Sequence, residues 1–203
     1  MATAKNGAAA AERRRQILDA AVRVFARQGF HTCRVSDIAD EAGVAYGLVY
    51  HYFRSKDAVL DTLFRDRWSL MTALIEDVDR QDLPVRDKLH AITSFIIDSY
   101  RHDPELMKVI IVEVTRAANS FGQTHLTEIR KAYDGIATIV EHGQAAGELR
   151  TDITSQFAAM AFYGAIEQVL TSWIFDLLPF GEVEAEQAKT LIVETICGGL
   201  DAK

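Results

Sequence analysis

The chain has 203 residues, 49% hydrophobic and 25% charged, which fits a globular protein with a sizeable core and excludes a low-complexity or disordered chain. Its net charge of −7 argues against a polyanion partner only until the distribution is examined. Residues 1–67 carry 11 Lys/Arg against 8 Asp/Glu, whereas residues 68–203 carry 11 against 21, so a basic head precedes an acidic body.

In chain order, residues 1–11 are Ala-rich, lack a Leu-rich apolar run, and are expected as a disordered tail rather than a signal peptide. A first helix runs from Glu12 to Gln28, with Ile17, Ala20, Ala21, Val24 and Phe25 at helical spacing and Gly29 ending it. A short second helix starts near Val35, capped by Ser36 or the preceding turn, with Ile38, Ala39 and Ala42 as its apolar face. Gly43 follows where a left-handed residue closes a helix. A third helix covers Ala45 to Tyr52, and Ser55 caps a fourth that carries Val59, Leu60, Leu63, Phe64 and Arg67 on toward Val78. Pro84 opens a fifth helix and Asp103-Pro104 a sixth, whose stripe is Leu106, Met107, Ile110, Ile111 and Val114. A seventh spans about Gln123 to Ala146 and Gly147 stops it. Two more close the chain, about Thr154 to Leu178 and Glu182 to Cys197.

Only three prolines interrupt this series, and no alternating strand pattern stands out. The expected class is all-α: a three-helix helix-turn-helix head joined to a C-terminal bundle of about six helices. The expected domains are the tail at 1–11, the head at 12–66 and a body at 67–203. Cys33 and Cys197 are far apart and show no metal-ligand spacing, which reads as a reduced, cytoplasmic chain without a metal. No apolar run is long enough to span a membrane.

Residues 16–53 supply what a tri-helical DNA reader needs: an apolar brace, a tight turn at Gly43, and a slim third helix for the major groove. Small Ala45 and Gly47 permit close approach, while Tyr46, Tyr50 and His51 project tips toward bases or phosphates. Tyr50 reads equally well as a packing residue, and His51 better as a phosphate-side than a base-reading one. Arg34, Ser36 and Lys56 lie at helix starts, where N–H groups and the helix dipole favour a phosphate. Arg13 to Arg15 read as an arm for the minor groove or as a solvated helix start.

The run Ile17-Leu-Asp-Ala-Ala, Phe25-Ala-Arg-Gln-Gly-Phe, and then Val35 through Leu60 with Gly43-Val44, Gly47, Tyr50-x-Tyr52-Phe53 and Lys56 in register, resembles the TetR family of transcriptional regulators over residues 13–64. The resemblance implies that Tyr52 and Phe53 lock the third helix to the body and that Lys56 touches a phosphate. One departure is the threonine before the second helix, shifted to Thr32 with Cys33 and Arg34 following.

The last two helices are the expected homodimer interface: Ala158, Ala159, Ala161, Gly164 and Ala165 allow close approach, and Phe157, Trp173 and Phe175 add apolar area. Two such chains present two heads to a palindromic double-stranded operator. The resemblance also implies an effector pocket, for which Trp68, Phe95, Tyr100, Met107, Ile111, Tyr133, Met160 and Tyr163 are the candidates. Read from the residues alone, most of these are simply core. A weaker similarity to the fatty-acid-metabolism (FadR-like) branch, in Phe95–Ala118 and Phe157–Pro179, implies an acyl-CoA effector with Arg101, Arg116 or Arg130 near its phosphates.

The expected function is a ligand-released repressor without a cofactor. No nucleophile–base set, metal spacing or phosphate-cradling glycine loop points to an enzyme, and the six histidines are scattered. A protein-only helical adaptor is the alternative. Salt-dependent retention on DNA separates the two.

Overall fold

The structure, a computed structural model, describes residues 2–113 and 123–201. Nine α-helices occur among the described residues: α1 (Ala2–Gln28), α2 (Val35–Ala42), α3 (Tyr46–Tyr52), α4 (Lys56–Asp79), α5 (Val85–His102), α6 (Pro104–Lys108), α7 (Gln123–Ala145), α8 (Ser155–Ile174) and α9 (Glu182–Leu200). A π-helical turn, Val109–Glu113, continues α6. No strand forms among the described residues; one isolated bridge pairs Leu149 with Asp201.

The chain divides into two compact units. The head unit comprises Met1–Arg65 and the described part of Glu105–Gly122, and the body unit comprises Asp66–Pro104 and Gln123–Lys203. Thus α4 crosses from one unit to the other, and the segment from Glu105, expected within a single body at 67–203, groups with the head.

In the head unit the apolar stripe of α1 is buried through Ile17, Ala20, Ala21, Val24 and Phe25, packed with Ile38, Ala39, Val49, Phe53 and Leu60. α1 begins at Ala2, so residues 2–11 are helical where a disordered tail was expected. Alanine, the strongest helix former, dominates that stretch and extends the helix without any core contact at Ala8–Ala11, which are exposed. Charged side chains tie α1 to α2: Arg23 and Arg27 both meet Glu41, at 2.7 and 3.1 Å. The Gln16 amide donates to the Ala42 carbonyl at 2.7 Å, satisfying an end of α2. The π turn packs on α1 within the same unit, with Val109 and Ile110 buried.

The turn between α2 and α3 rests on Gly43, which closes α2 at φ +62°, its N–H reaching the carbonyls of Ala39 and Asp40. A side chain there is strained even though a Cβ would meet nothing within 4 Å. Gly43→Val is therefore expected to destabilise the head by about 1–3 kcal/mol, read from a urea melt.

In the body unit α5, α7, α8 and α9 pack around Leu89, Ile92, Ile97, Ile136, Ile139, Phe162 and Ile166. Thr154 caps α8 by accepting from the Phe157 N–H at 3.3 Å. That helix stops at Ile174, short of the expected Leu178, because the backbone turns over with Asp176 at φ 54°. Lys189 is buried on α9, its charge matched by Asp98 and Glu186, each at 2.8 Å.

Candidate nucleic-acid interface and effector site

The head unit presents α3 outward. Val49 and Phe53 anchor it, with 1% and 4% exposure, and Tyr52 is half-buried. Tyr46 and Tyr50, one turn apart, stand in solvent at 52% and 43% exposure. Their rings meet edge-on at 5.0 Å and the Tyr46 hydroxyl donates to the Tyr50 oxygen at 3.1 Å, which keeps the Tyr46 phenol protonated above its ordinary range. Ala45 is the N-cap of α3, and both it and His51 are exposed. Gly47 lies between the tyrosines, and a Cβ built there would touch nothing within 4 Å. The fold itself therefore does not demand glycine at 47.

The other candidates differ in part from expectation. Of the two caps expected for α2, Ser36 or the preceding turn, the turn supplies it: Arg34 is the N-cap, and its N–H donates to the Asp37 carboxylate at 2.7 Å. Ser36 is half-buried in the first turn, while the Arg34 side chain is exposed. Lys56 is engaged within the head itself. Its ammonium donates to the Phe30 and Cys33 carbonyls at 2.6 and 2.9 Å, and to that of His31 at a longer 3.5 Å, and it lies 4.6 Å from the centre of the Phe30 ring. The first residue of α4 thus holds the loop that leads into α2. Two of the lysine's three donors are thereby held at short distance. Arg14 is likewise engaged, stacked over Phe53 at 5.2 Å, whereas Arg13 and Arg15 are exposed.

In the body unit the expected effector residues separate into groups. Trp68, Tyr133 and Tyr163 come together, with ring centres 5.9 Å apart for Trp68–Tyr163 and 5.2 Å for Tyr133–Tyr163. Tyr100 belongs elsewhere: it stacks on Trp173 at 5.7 Å and meets Phe180 at 4.9 Å, a packing cluster joining the end of α8 to the loop before α9. Met107 and Ile111 fall in the head unit. Met160 is 61% exposed and lines, with Tyr133, Leu126, Ile129, Arg130, Asp134 and Gln156, a groove of about 350 Å³ between α7 and α8. Of the three expected cations, Arg130 reaches this groove and Arg101 is engaged by Asp98, Glu182 and Glu186. Arg116 lies outside the described residues, as does Val114 of the sixth stripe.

Two residues beside the aromatic group were not among the candidates. Arg67, half-buried on α4, stacks over Phe95 at 4.5 Å, and Glu167 on α8 is half-buried one turn beyond Tyr163. Burial lowers the arginine's pKa and raises the carboxyl's, and it raises that of Tyr163 most of all. A signal was present in the sequence: Arg67 continues the spacing of Leu60, Leu63 and Phe64, so a charge sits on an apolar stripe.

A third feature is a bare apolar stripe along α8 and α9. Phe157, Met160, Ala161 and Gly164 are exposed at helical spacing, as are Val183 and Leu191 on α9. Ala158, Ala159 and Trp173, expected on the dimer face, are buried within the chain instead. α8 is apolar nearly all round, so periodicity did not distinguish its two faces.

With this geometry in view, similarity to known proteins is decisive. Residues 17–63 match the family described as bacterial regulatory proteins, tetR family, and residues 64–195 match the C-terminal region of YsiA-like proteins. The chain belongs to the TetR family. It is a helix-turn-helix transcriptional regulator, similar at 32% identity to the fatty acid metabolism regulator protein of Bacillus subtilis, over 79% of this chain and 83% of that one. It is 26% identical to the transcriptional repressor KstR2 of Mycolicibacterium smegmatis, over 94% and 91% of the two chains. Among solved structures, FadR from Bacillus subtilis in complex with stearoyl-CoA superposes with a TM-score of 0.81 at 25% identity, covering 91% of this chain and 98% of that one. In TetR-family terms α2, the Gly43 turn and α3 are the helix-turn-helix, and residues 64–195 are the C-terminal region.

Proposed function

We propose that this TetR-family regulator is a homodimeric repressor that reads a palindromic operator through α3 and leaves it on binding an acyl-CoA. The observation that carries the reading is the solvent-facing Tyr46–Tyr50 pair around an open Gly47, on a helix anchored by Val49 and Phe53. Tyr46 and Tyr50 are assigned to base edges. Ala45 and Gly47 are assigned to close approach, and Arg34, Ser36 and His51 to phosphates. The bare stripe on α8 and α9 supports pairing of two chains, because a contiguous apolar face of this kind gains by being covered.

The acyl-CoA assignment is supported by the relative solved with stearoyl-CoA and by the fatty acid metabolism regulator. The effector is assigned to the aromatic group of the body unit. Release requires that it bind the arrangement unable to hold DNA more tightly than the competent one. Two routes connect its site to the head by covalent continuity: α4 across the division at residue 65, and the chain from α5 into α6 and the π turn. A regulator of this kind acts on DNA in the cytoplasm and needs no catalytic residue or cofactor.

Gly47→Ala and Tyr46→Ala test the head. Alanine at 47 has room and is the better helix former, so it should raise stability by up to about 1 kcal/mol while weakening operator binding in a gel shift. Tyr46→Ala should alter sequence preference rather than weaken all DNA alike. Unchanged operator affinity in both variants would remove α3 as the reading helix. Long-chain acyl-CoA titrated into the protein–operator complex should free the DNA, and retention at saturation would end the acyl-CoA reading.

A further inference from the structure

Buried charges in proteins are paired, and buried hydroxyls are bonded, because the desolvation cost is otherwise uncompensated. One cluster in the body unit departs from this rule twice. The Arg67 guanidinium, half-buried over the Phe95 ring, has no hydrogen bond or ion pair among the described residues, and the Asp103 carboxylate reaches it only through its field. Glu167, half-buried on α8, has none either. Arg67 and Glu167 both act electrostatically on Tyr163, which lies between Trp68 and Tyr133 in the ring cluster, yet they do not pair with each other.

A stacked guanidinium keeps its donor edge free for a planar or tetrahedral oxyanion, which it meets with two parallel hydrogen bonds. Phe95 beneath it, and Tyr163 with its ring neighbours Trp68 and Tyr133, offer apolar surface to whatever carries that anion. Tyr133 also lines the 350 Å³ groove between α7 and α8, so the cluster adjoins open space. We infer that Arg67 is the anchor for an anionic oxygen group, carboxylate or phosphate, on a long apolar effector. This rests on the effector reading above and adds to it a named residue and a required charge.

Opposing sources of the anion are separated by the probes: palmitate carries a carboxylate, palmitoyl-CoA carries phosphates, and hexadecanol carries neither. Each is titrated calorimetrically into the full-length wild type, Arg67→Met and Arg67→Lys. Arg67→Met is expected to weaken whichever anionic probe binds by roughly 10–100-fold, Arg67→Lys by less, and hexadecanol by neither. Because methionine removes an unpaired charge at similar volume, the melting temperature of the ligand-free variant should stay level or rise. If Arg67→Met binds palmitate and palmitoyl-CoA as tightly as wild type, the anchor is wrong while the effector reading stands. If no probe binds the wild type, both are overturned.

Discussion

A chain carrying Phe157→Arg and Leu191→Arg will sediment as a monomer and lose about 1,000-fold in operator affinity, falling toward the level of non-specific binding. Both residues are two-thirds exposed in the single chain, at 68% and 66%, so arginine at either position leaves the fold of one copy undisturbed. Set against a second copy, the same two arginines bring four cations into a symmetric apolar contact with nothing to pair them. Gly164 lies on the stripe with Phe157, and a Cβ there would meet nothing within 4 Å, as expected where a neighbouring helix approaches closely. A lone head retains its phosphate attraction but loses the second half-site, which is where specificity over bulk DNA arises. Sedimentation with an unchanged circular dichroism spectrum makes the check. A double variant that stays dimeric and binds as before would place the interface elsewhere.

The second large effect belongs to Lys56. Lys56→Met should cost the head about 1.5–3 kcal/mol, because hydrogen bonds from a charged donor to the Phe30 and Cys33 carbonyls are lost together. Operator affinity should drop about tenfold or more, the equivalent of 1.4 kcal/mol, as the loop that sets the start of α2 loosens. The informative quantity is the salt dependence. A lysine that neutralises a phosphate contributes about 0.9 to the slope of log affinity against log salt, and its removal flattens the slope by that amount. A clamp acting within the head leaves the slope unchanged. Lys56→Arg should not rescue, since a planar fork does not reproduce converging donors aimed at one loop. A flattened slope with unaltered stability would return Lys56 to the phosphate.

The head was largely legible in the sequence because its constraints are local. Gly43 must close a helix at positive φ, and Val49 and Phe53 must face inward, which together fix how the short α2 and α3 follow the long α1. The loop contacts of Lys56 were not legible, because the carbonyls that accept from it lie more than twenty residues back. In the body, local pattern carried less. α8 buries Ala158, Ala159 and Trp173 and exposes Phe157 and Met160, a division set by which neighbours exist and not by residue type. The effector candidates were chosen as large apolar residues on inward stripes. That criterion equally selects plain packing, as Tyr100 against Trp173 shows, and it passes over polar residues such as Arg67 and Glu167.

The most direct test is selection of bound duplexes from a random pool by wild type and by Tyr46→Ala. The wild type should enrich an inverted repeat, and the variant should change the preferred base at the same position in both arms. A pool without an inverted repeat, or one that Tyr46→Ala leaves identical, would contradict reading of DNA by paired α3 helices.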